Sequence, residues 1–389
     1  MYELYNLKGR SNQISRPIIF NTQLMEQIKN RYCVIMAGGI GARFWPMSKT
    51  SRPKQFLDIL GTGKTLLQMT FDRFTRLCPP ENIYIVTNEI YRHQVQEQLP
   101  LIAPEQILCE PARRNTAPCI AYANHVILQR DPEAVIVVAP SDHIILQEEV
   151  FAQNVHDAMQ VAEKNDWLIT LGIEPGRPDT GYGYIQFLDG AITEDVPKLK
   201  KVKTFTEKPS LSIAQSFLES GDFLWNAGIF IWSLKSINKA FDQHLSEVNE
   251  LFKEGAGKYS TPEEEPFIRQ TYSICRNISI DYGVMEKAEN VYVMAVDFGW
   301  SDLGTWGSLY EIREKDEHQN AIVGNQVMAY DSEGCIVNMP KDKLVVLQGL
   351  KDYIVVEDDN ALLICRKADE QQIRQFVNDI KVEKGEKYV

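Results

Sequence analysis

An apolar run, Tyr32-Cys33-Val34-Ile35-Met36, empties without a break into Ala37-Gly38-Gly39-Ile40-Gly41-Ala42-Arg43, and Arg52-Pro53-Lys54-Gln55 follows soon after. This stretch constrains the fold more than any other, because a strand that ends in clustered glycines is how a parallel sheet offers backbone N–H groups to an anion. Glycine at 38, 39 and 41 permits positive φ and leaves no Cβ between the converging amides. A backbone nest or helix end supplies only about half a unit charge. A polyphosphate therefore needs further cations, and Arg43 and Lys54 are the nearest in sequence.

Two better-known loops do not fit. A dinucleotide fold requires G-x-G-x-x-G and an acid about 20 residues on. Here Gly39-Ile40-Gly41 is followed by Phe44 at the third glycine position, and the acid that ends the next strand-like run is Glu89. Gly61-Thr62-Gly63-Lys64-Thr65 resembles the end of a G-x-x-x-x-G-K-[ST] loop, but Asp58 stands at its first glycine and no long apolar strand leads into it. It reads as a turn, with Thr65 capping the helix that follows.

From Tyr32 to about Gly172, β-rich runs (Ile83–Val86, Ile107–Cys109, Ala134–Ala139, Trp167–Leu171) alternate with helical periods, one of them opening at Asn115-Thr116-Ala117-Pro118 with Thr116 as the expected cap. This alternation predicts an α/β, Rossmann-like core whose ligand lies at the carboxyl ends of the strands. From about 173 to 305 the pattern becomes mixed, with strands expected at Tyr184–Phe187, Val202–Thr206, Leu224–Trp232 and Val291–Val296 and helices between, including Ile280–Lys287. The extra strands should wall off one side of the pocket and hold a second substrate. Beyond Ala321 short β runs separated by turns predict a small β-rich, β-helix-like domain, closed by a helix whose apolar face is Ile373, Phe376, Val377 and Ile380. That face must pack on its own domain or on a partner subunit, which suggests a homodimer. The expected division is a flexible arm over 1–24, a catalytic domain over 25–315 and the β-rich domain over 316–389.

Net charge of −12 argues against a nucleic-acid partner or a membrane surface, and no run of 18 apolar residues is present to span a bilayer. The 7 cysteines form no C-x-x-C pair and several lie in apolar runs, as expected of reduced thiols in a cytoplasmic protein.

The chemistry-bearing positions each admit two readings. Asp142, after the most apolar strand-like run, and Asp302, in Trp300-Ser301-Asp302-Leu303-Gly304, are either turn caps or the one or two carboxylates that Mg²⁺ takes beside phosphate oxygens. Lys208, in Glu207-Lys208-Pro209, is an exposed strand-end lysine or a point charge for a second phosphate. Asn226, a polar amide within an apolar strand, is a structural hydrogen-bonding group or a ligand for a sugar hydroxyl. Trp225 and Trp232 read as core.

In order along the chain, Ala37-Gly-Gly-x-Gly-x-Arg43-x-Trp-Pro46, Pro53-Lys-Gln55, Glu110-Pro-x-x-Arg114-Asn-Thr-Ala-Pro118, Pro140-Ser-Asp-His143, Thr180-Gly-Tyr-Gly-Tyr184, Glu207-Lys-Pro209, Trp225-Asn-x-Gly228, Asp281-Tyr-x-x-Met-Glu-Lys287 and Trp300-Ser-Asp-Leu-Gly-x-Trp306 resemble the sugar-nucleotide pyrophosphorylases, most closely those acting on GTP and mannose 1-phosphate. The resemblance implies a nucleotidyltransferase core and transfer of GMP to mannose 1-phosphate, giving GDP-mannose and pyrophosphate. It implies that Gly38, Gly39, Gly41, Arg43 and Lys54 hold the triphosphate, with Asn115 and Thr116 beside the nucleoside. Asp142 and Asp302 would hold Mg²⁺; Gly183, Glu207 and Asn226 the sugar; Lys208 its phosphate; and Asp281 and Glu286 would line the sugar pocket. Arg43, Lys54, Asp142 and Lys208 are the catalytic set so implied. Longer relatives append a histidine-bearing isomerase domain, whereas this sequence has 6 His and no clustered pair beyond 321, so no isomerase activity is expected. The same chemistry on another pair, such as GTP with a heptose 1-phosphate, is the nearest alternative. A non-catalytic paralogue that binds nucleotide sugar is the other.

Overall fold

The computed structural model describes residues 28–389 apart from 191, 194 and 195, so the arm expected over 1–24 lies outside the described residues. Strands β1 (Arg31–Met36), β2 (Ile83–Asn88), β3 (Ile107–Glu110), β4 (Val135–Pro140), β5 (Ile144–Ile145), β6 (Leu168–Ile173), β7 (Gly183–Phe187), β8 (Leu199–Glu207), β9 (Phe223–Ser233), β10 (Val291–Val296) and β11 (Trp300–Ser301) lie in the first and larger part of the chain. Among the described residues, nine of them form one sheet in the order β3-β2-β1-β4-β9-β6-β10-β8-β7.

The β3-β2-β1-β4 half is parallel, as the alternating pattern predicts. Its strands are apolar throughout because both faces are covered. Along β1, Tyr32 and Val34 enter one core with helix Thr116–Arg130, while Cys33 and Ile35 enter the other with helices Leu66–Phe74 and Glu148–Lys164. Strand β9 then runs antiparallel and serves two neighbourhoods: Phe230–Ser233 pair with β4, while Phe223–Trp225 pair with β7. Between them the ladder to β6 shifts register at Thr170/Gly172, and Gly228 takes φ +66°. Gly228 lies beside the carboxyl end of β4, where a Cβ on it would stand 3.8 Å from Pro140 Cγ.

Strands β12 (Ala321–Val323), β13 (Val327–Tyr330), β14 (Ile336–Asn338), β15 (Val345–Gln348), β16 (Tyr353–Asp358) and β17 (Ala361–Arg366) follow. Ala321, Ile336 and Ile354 stack in one parallel row and Val327 and Val345 in another, so successive coils repeat as in a short β-helix; β17 turns back antiparallel on β16. Helix Ile373–Lys384 closes this unit. Ile373 is fully buried, and Phe376, Val377 and Ile380 pack into a core that also contains Phe44, Trp45, Ile144, Leu303 and Trp306. The apolar helix face is thus packed on its own chain, against the elements that carry the glycine loop and the Asp302 turn.

Two local readings change. The segment expected as a helix from Ile280 is a single π-type turn, Asp281–Met285. Asn115, not Thr116, caps the helix after β3: its side chain accepts from Thr116 N, while Thr116 Oγ1 accepts from Ile280 N at 2.8 Å and ties the two segments together. The Gly61–Thr65 turn is as expected, with Thr65 and Gln68 forming a reciprocal cap.

Candidate active site

The glycine loop is built by turning its carbonyls inward. Ala37 O accepts from Thr87 Oγ1 and Gln55 Nε2, Gly39 O from the same Gln55 nitrogen (2.9 Å for each of these bonds), and Ile40 O from Lys54 N and the Ser48 hydroxyl. Among the described residues no protein acceptor stands opposite the N–H groups of Gly38, Gly39, Ile40 and Gly41. Carbonyls held inward and amides left outward make an anion nest. Positive φ is confined to Gly41, at +72°, where a Cβ would also meet Lys54 Cβ at 2.6 Å. Gly38 and Gly39 therefore do not supply the positive φ expected of them; a Cβ on Gly38 would stand 3.5 Å from Glu110 Oε2, and one on Gly39 would meet nothing within 4 Å.

Strands β5 and β11 form a two-stranded ribbon with Ile144 opposite Ser301 and Ile145 opposite Trp300. The ribbon draws the Asp142-His143 turn and the Asp302 turn together although they are far apart in sequence. Lys54, only 4% exposed, joins them: its ammonium is 2.8 Å from Asp142 Oδ2 and donates to the carbonyls of Asp302 and Leu303, each at 2.9 Å. All three of its hydrogens are thereby engaged. Burial pushes the Asp142 carboxyl up, but Lys54 and then His143 outweigh it and hold the group below the ordinary carboxylate range. His143 is pushed down by burial, and its Nδ1 accepts from Trp300 Nε1 at 3.2 Å. Arg43 lies at the end of the glycine loop, where its guanidinium donates to Gln371 of the C-terminal unit at 3.2 Å.

A second cluster is built where β7, β8 and β9 meet. Gly183 stands opposite Glu207 in the β7–β8 ladder, and a Cβ on it would come within 2.5 Å of Glu207 Oε2. Glu207 pairs with the ammonium of Lys208, whose side chain is 60% exposed and whose backbone takes φ +48°. The Asn226 amide is well used: Nδ2 donates to Asp281 Oδ1 at 3.0 Å, and Oδ1 accepts from Thr170 Oγ1 at 2.9 Å and Gly228 N at 3.1 Å. Its structural role is therefore real, and one amide hydrogen is left over. Burial and then Glu207 raise Asp281 to about 6, and the same two causes raise Glu286. Trp232 is core at 0% exposure; Trp225 is 6% exposed, with Arg177 over its ring at 5.4 Å.

The structure brings Lys54, Asp142 and Asp302 into one cluster and Gly183, Glu207, Lys208, Asn226 and Asp281 into another. Asn115 and Thr116 stand at the helix start after β3, and Glu286 follows the Asp281 turn. Four neighbours were not singled out from sequence. Gln55 shapes the loop, His143 flanks Asp142, and Tyr182 donates to Asp302 Oδ1 at 2.8 Å. Glu110, raised to about 7 by burial, accepts from Tyr272 Oη at 3.0 Å beside Gly38. Each lies inside a motif quoted above, but contacts more than 100 residues away, as in Tyr182 to Asp302, leave no local signature.

A glycine loop at the end of a parallel strand, joined through Lys54 to the Asp142 carboxylate and the Asp302 turn, is the geometry against which the comparisons with known proteins stand. Residues 32–319 match the family described as nucleotidyl transferase, and residues 324–380 match the MannoseP isomerase/GMP-like beta-helix domain. The chain belongs to the nucleotidyl transferase family. It is 36% identical over 367 residues to a mannose-1-phosphate guanylyltransferase of Salmonella montevideo, covering 92% of this chain and 75% of that protein. Against the Klebsiella pneumoniae mannose-1-phosphate guanylyltransferase it is 35% identical over 363 residues, covering 91% and 75%. A crystal structure from Thermus thermophilus, described as a mannose-1-phosphate geranyltransferase, superposes with a TM-score of 0.80 at 29% identity, over 90% of this chain and 99% of that one. These relatives set the chain among the mannose-1-phosphate guanylyltransferases.

Proposed function

We propose that the chain transfers GMP from GTP to mannose 1-phosphate, giving GDP-mannose and pyrophosphate. The observation that carries this reading is that a glycine loop with amides unpartnered among the described residues and a second, separately built cluster around Glu207, Lys208 and Asn226 are joined through Tyr182, which bonds to both the Asp302 carboxylate and the Lys208 backbone. A phosphate oxygen of mannose 1-phosphate forms a bond to the α-phosphorus as the bond to the pyrophosphate oxygen breaks. The attacking oxygen is already ionised, so no protein nucleophile or base is required, and positioning with charge neutralisation carries the rate.

In this reading Gly38, Gly39, Gly41 and Arg43 hold the triphosphate, and Arg43 exchanges Gln371 for phosphate. Asn115 and Thr116 lie along the nucleoside. Lys208 holds the sugar phosphate, Gly183, Glu207 and the spare Asn226 hydrogen meet sugar hydroxyls, and Asp281 and Glu286 line that pocket. Lys54 steadies Asp142 and the Asp302 turn; contact with the leaving pyrophosphate requires it to release one of its three partners. The donor set at Asp142 and Asp302 is hard carboxylate oxygen. This fits Mg²⁺, which takes one or two carboxylates and completes its shell with phosphate and water. The ion, when bound, neutralises charge between the two phosphates.

Among the described residues no helix is long and apolar enough to cross a membrane. We place the reaction in the cytoplasm, in keeping with the free cysteines. A catalytic domain over 25–315 and a β-rich domain over 316–389 remain our proposed division. A homodimer is also proposed, supported now by exposed Met328, Tyr330, Leu344 and Val346 on the β-helix rather than by the terminal helix. Asp142→Ala and Lys208→Ala should each lower pyrophosphate release by about 10²- to 10³-fold; near wild-type turnover in both removes these roles.

A further inference from the structure

Tyr182 touches both clusters of the site. Its phenol donates to Asp302 Oδ1 at 2.8 Å, and Gly304 N donates to the same oxygen at 2.9 Å. Both donors load Oδ1, leaving Oδ2 without a protein donor among the described residues. Oδ2 itself lies where a Cβ on Gly304 would come within 2.5 Å, so the carboxylate is folded over the turn by a glycine and pinned there by a phenol. On its other side, the Tyr182 carbonyl accepts from Lys208 N at 3.2 Å, the residue held at φ +48°. The ring is wedged edge-on between Trp225 and Trp300, with centroids 5.0 and 5.3 Å away. It has little freedom to leave either partner.

We propose that Tyr182 is a positioning residue that presents Asp302 Oδ2 to the divalent cation and couples that carboxylate to the lysine of the sugar-phosphate cluster. The proposal rests on the reading of Asp302 as a metal ligand. A carboxylate with one oxygen fixed by two donors offers the other in a single direction, which is what a cation needs from a ligand that must not rotate. A link through one rigid ring to the Lys208 backbone then makes metal binding and mannose 1-phosphate binding favour each other, by the same factor in both directions.

The test is Mn²⁺ binding to the full chain, followed by electron paramagnetic resonance without nucleotide, for wild type, Tyr182→Phe, Asp302→Asn and Gly304→Ala, with and without mannose 1-phosphate. Tyr182→Phe keeps the ring between the two tryptophans, and near-ultraviolet circular dichroism checks that it does. Loss of such an orienting partner weakens metal binding by about 10- to 100-fold. We expect that loss in Tyr182→Phe and Gly304→Ala, at least as large a loss in Asp302→Asn, and abolition in Tyr182→Phe of the tightening that mannose 1-phosphate gives the wild type. Wild-type Mn²⁺ affinity and coupling in Tyr182→Phe, with Asp302→Asn impaired, overturns the proposal alone. Unchanged affinity in Asp302→Asn overturns the metal reading beneath it. Should Tyr182→Phe lose its fold, Gly304→Ala decides: wild-type Mn²⁺ affinity there rejects the idea that the direction of Oδ2 matters.

Discussion

Replacing Lys54 by methionine isolates what its charge does. Methionine retains an unbranched stem beneath Gly41, and removes an ammonium that lies 5.7 Å from the Phe44 ring centre and is bonded to Asp142 Oδ2 at 2.8 Å and to two carbonyls at 2.9 Å. Breaking a buried ion pair on one side costs about 3–5 kcal/mol. The Asp142 side chain keeps 28% exposure, so water recovers part of this. A loss of about 2–3 kcal/mol in unfolding free energy is expected at pH 7. The sign of the pH dependence follows from Asp142, whose folded pKa lies below its ordinary value despite burial because Lys54 faces it. Its contribution is full above the unfolded pKa of about 3.9 and is lost as pH falls through the folded value. Without Lys54, burial raises the carboxyl and protonation relieves the variant first, so the gap between the two proteins narrows toward about pH 4. Urea unfolding at both pH values measures the gap, and pyrophosphate release should fall by about 10²- to 10³-fold. A variant as stable as wild type at pH 7, or a gap that widens on acidification, refutes this role for Lys54.

Three further outcomes are expected. Gly41→Ala should lose at least about 1–2 kcal/mol, from φ +72° and the 2.6 Å approach to Lys54 Cβ, whereas Gly39→Ala, with open space around it, should stay within about 0.5 kcal/mol; urea midpoints compare them. Asp281 is raised to about 6 by burial and Glu207, so stability should be greatest below its unfolded pKa of about 3.9 and decline as pH rises through about 6, and Asp281→Asn should flatten that part of the profile in thermal melts. Removing divalent metal with a chelator should stop pyrophosphate release yet shift the melting temperature little, because Lys54 already faces Asp142; a fall of more than about 4 °C, the equivalent of over 1 kcal/mol in a chain of this size, contradicts this.

Local chemistry made the loop and the strand ends legible. The run from Tyr32 to Met36 reads as a strand because it is short, apolar and rich in β-branched and aromatic residues, and the glycines after it read as a loop offering its amides to an anion. Strands such as Val291–Val296 and Ile336–Asn338 fall where their apolar runs lie. What was missed depends on distance along the chain. The β5–β11 ribbon is two residues per strand and is stabilised by what it brings together, so Ile144-Ile145 carries no period to read. Lys54 was read as facing phosphate because a lysine near a glycine loop has no visible partner in sequence; the partners, Asp142 and the carbonyls of Asp302 and Leu303, arrive through the fold. Asn115 and Thr116 are both capping residue types standing side by side, so the sequence does not decide between them; Asn115 caps at a φ of +69°, a region asparagine enters more readily than most residues. The terminal helix was read correctly as amphipathic, but only the fold shows that Phe44, Trp45 and Trp306 supply its other half.

A site built for two phosphates should be selective for one pair of substrates. Purified protein incubated with GTP, ATP, UTP or dTTP against mannose, glucose and heptose 1-phosphates, with products read by mass spectrometry, tests this most directly. GDP-mannose, with equimolar pyrophosphate, is expected as the fastest-formed product. No GDP-mannose from GTP and mannose 1-phosphate, or faster turnover of another pair, contradicts it.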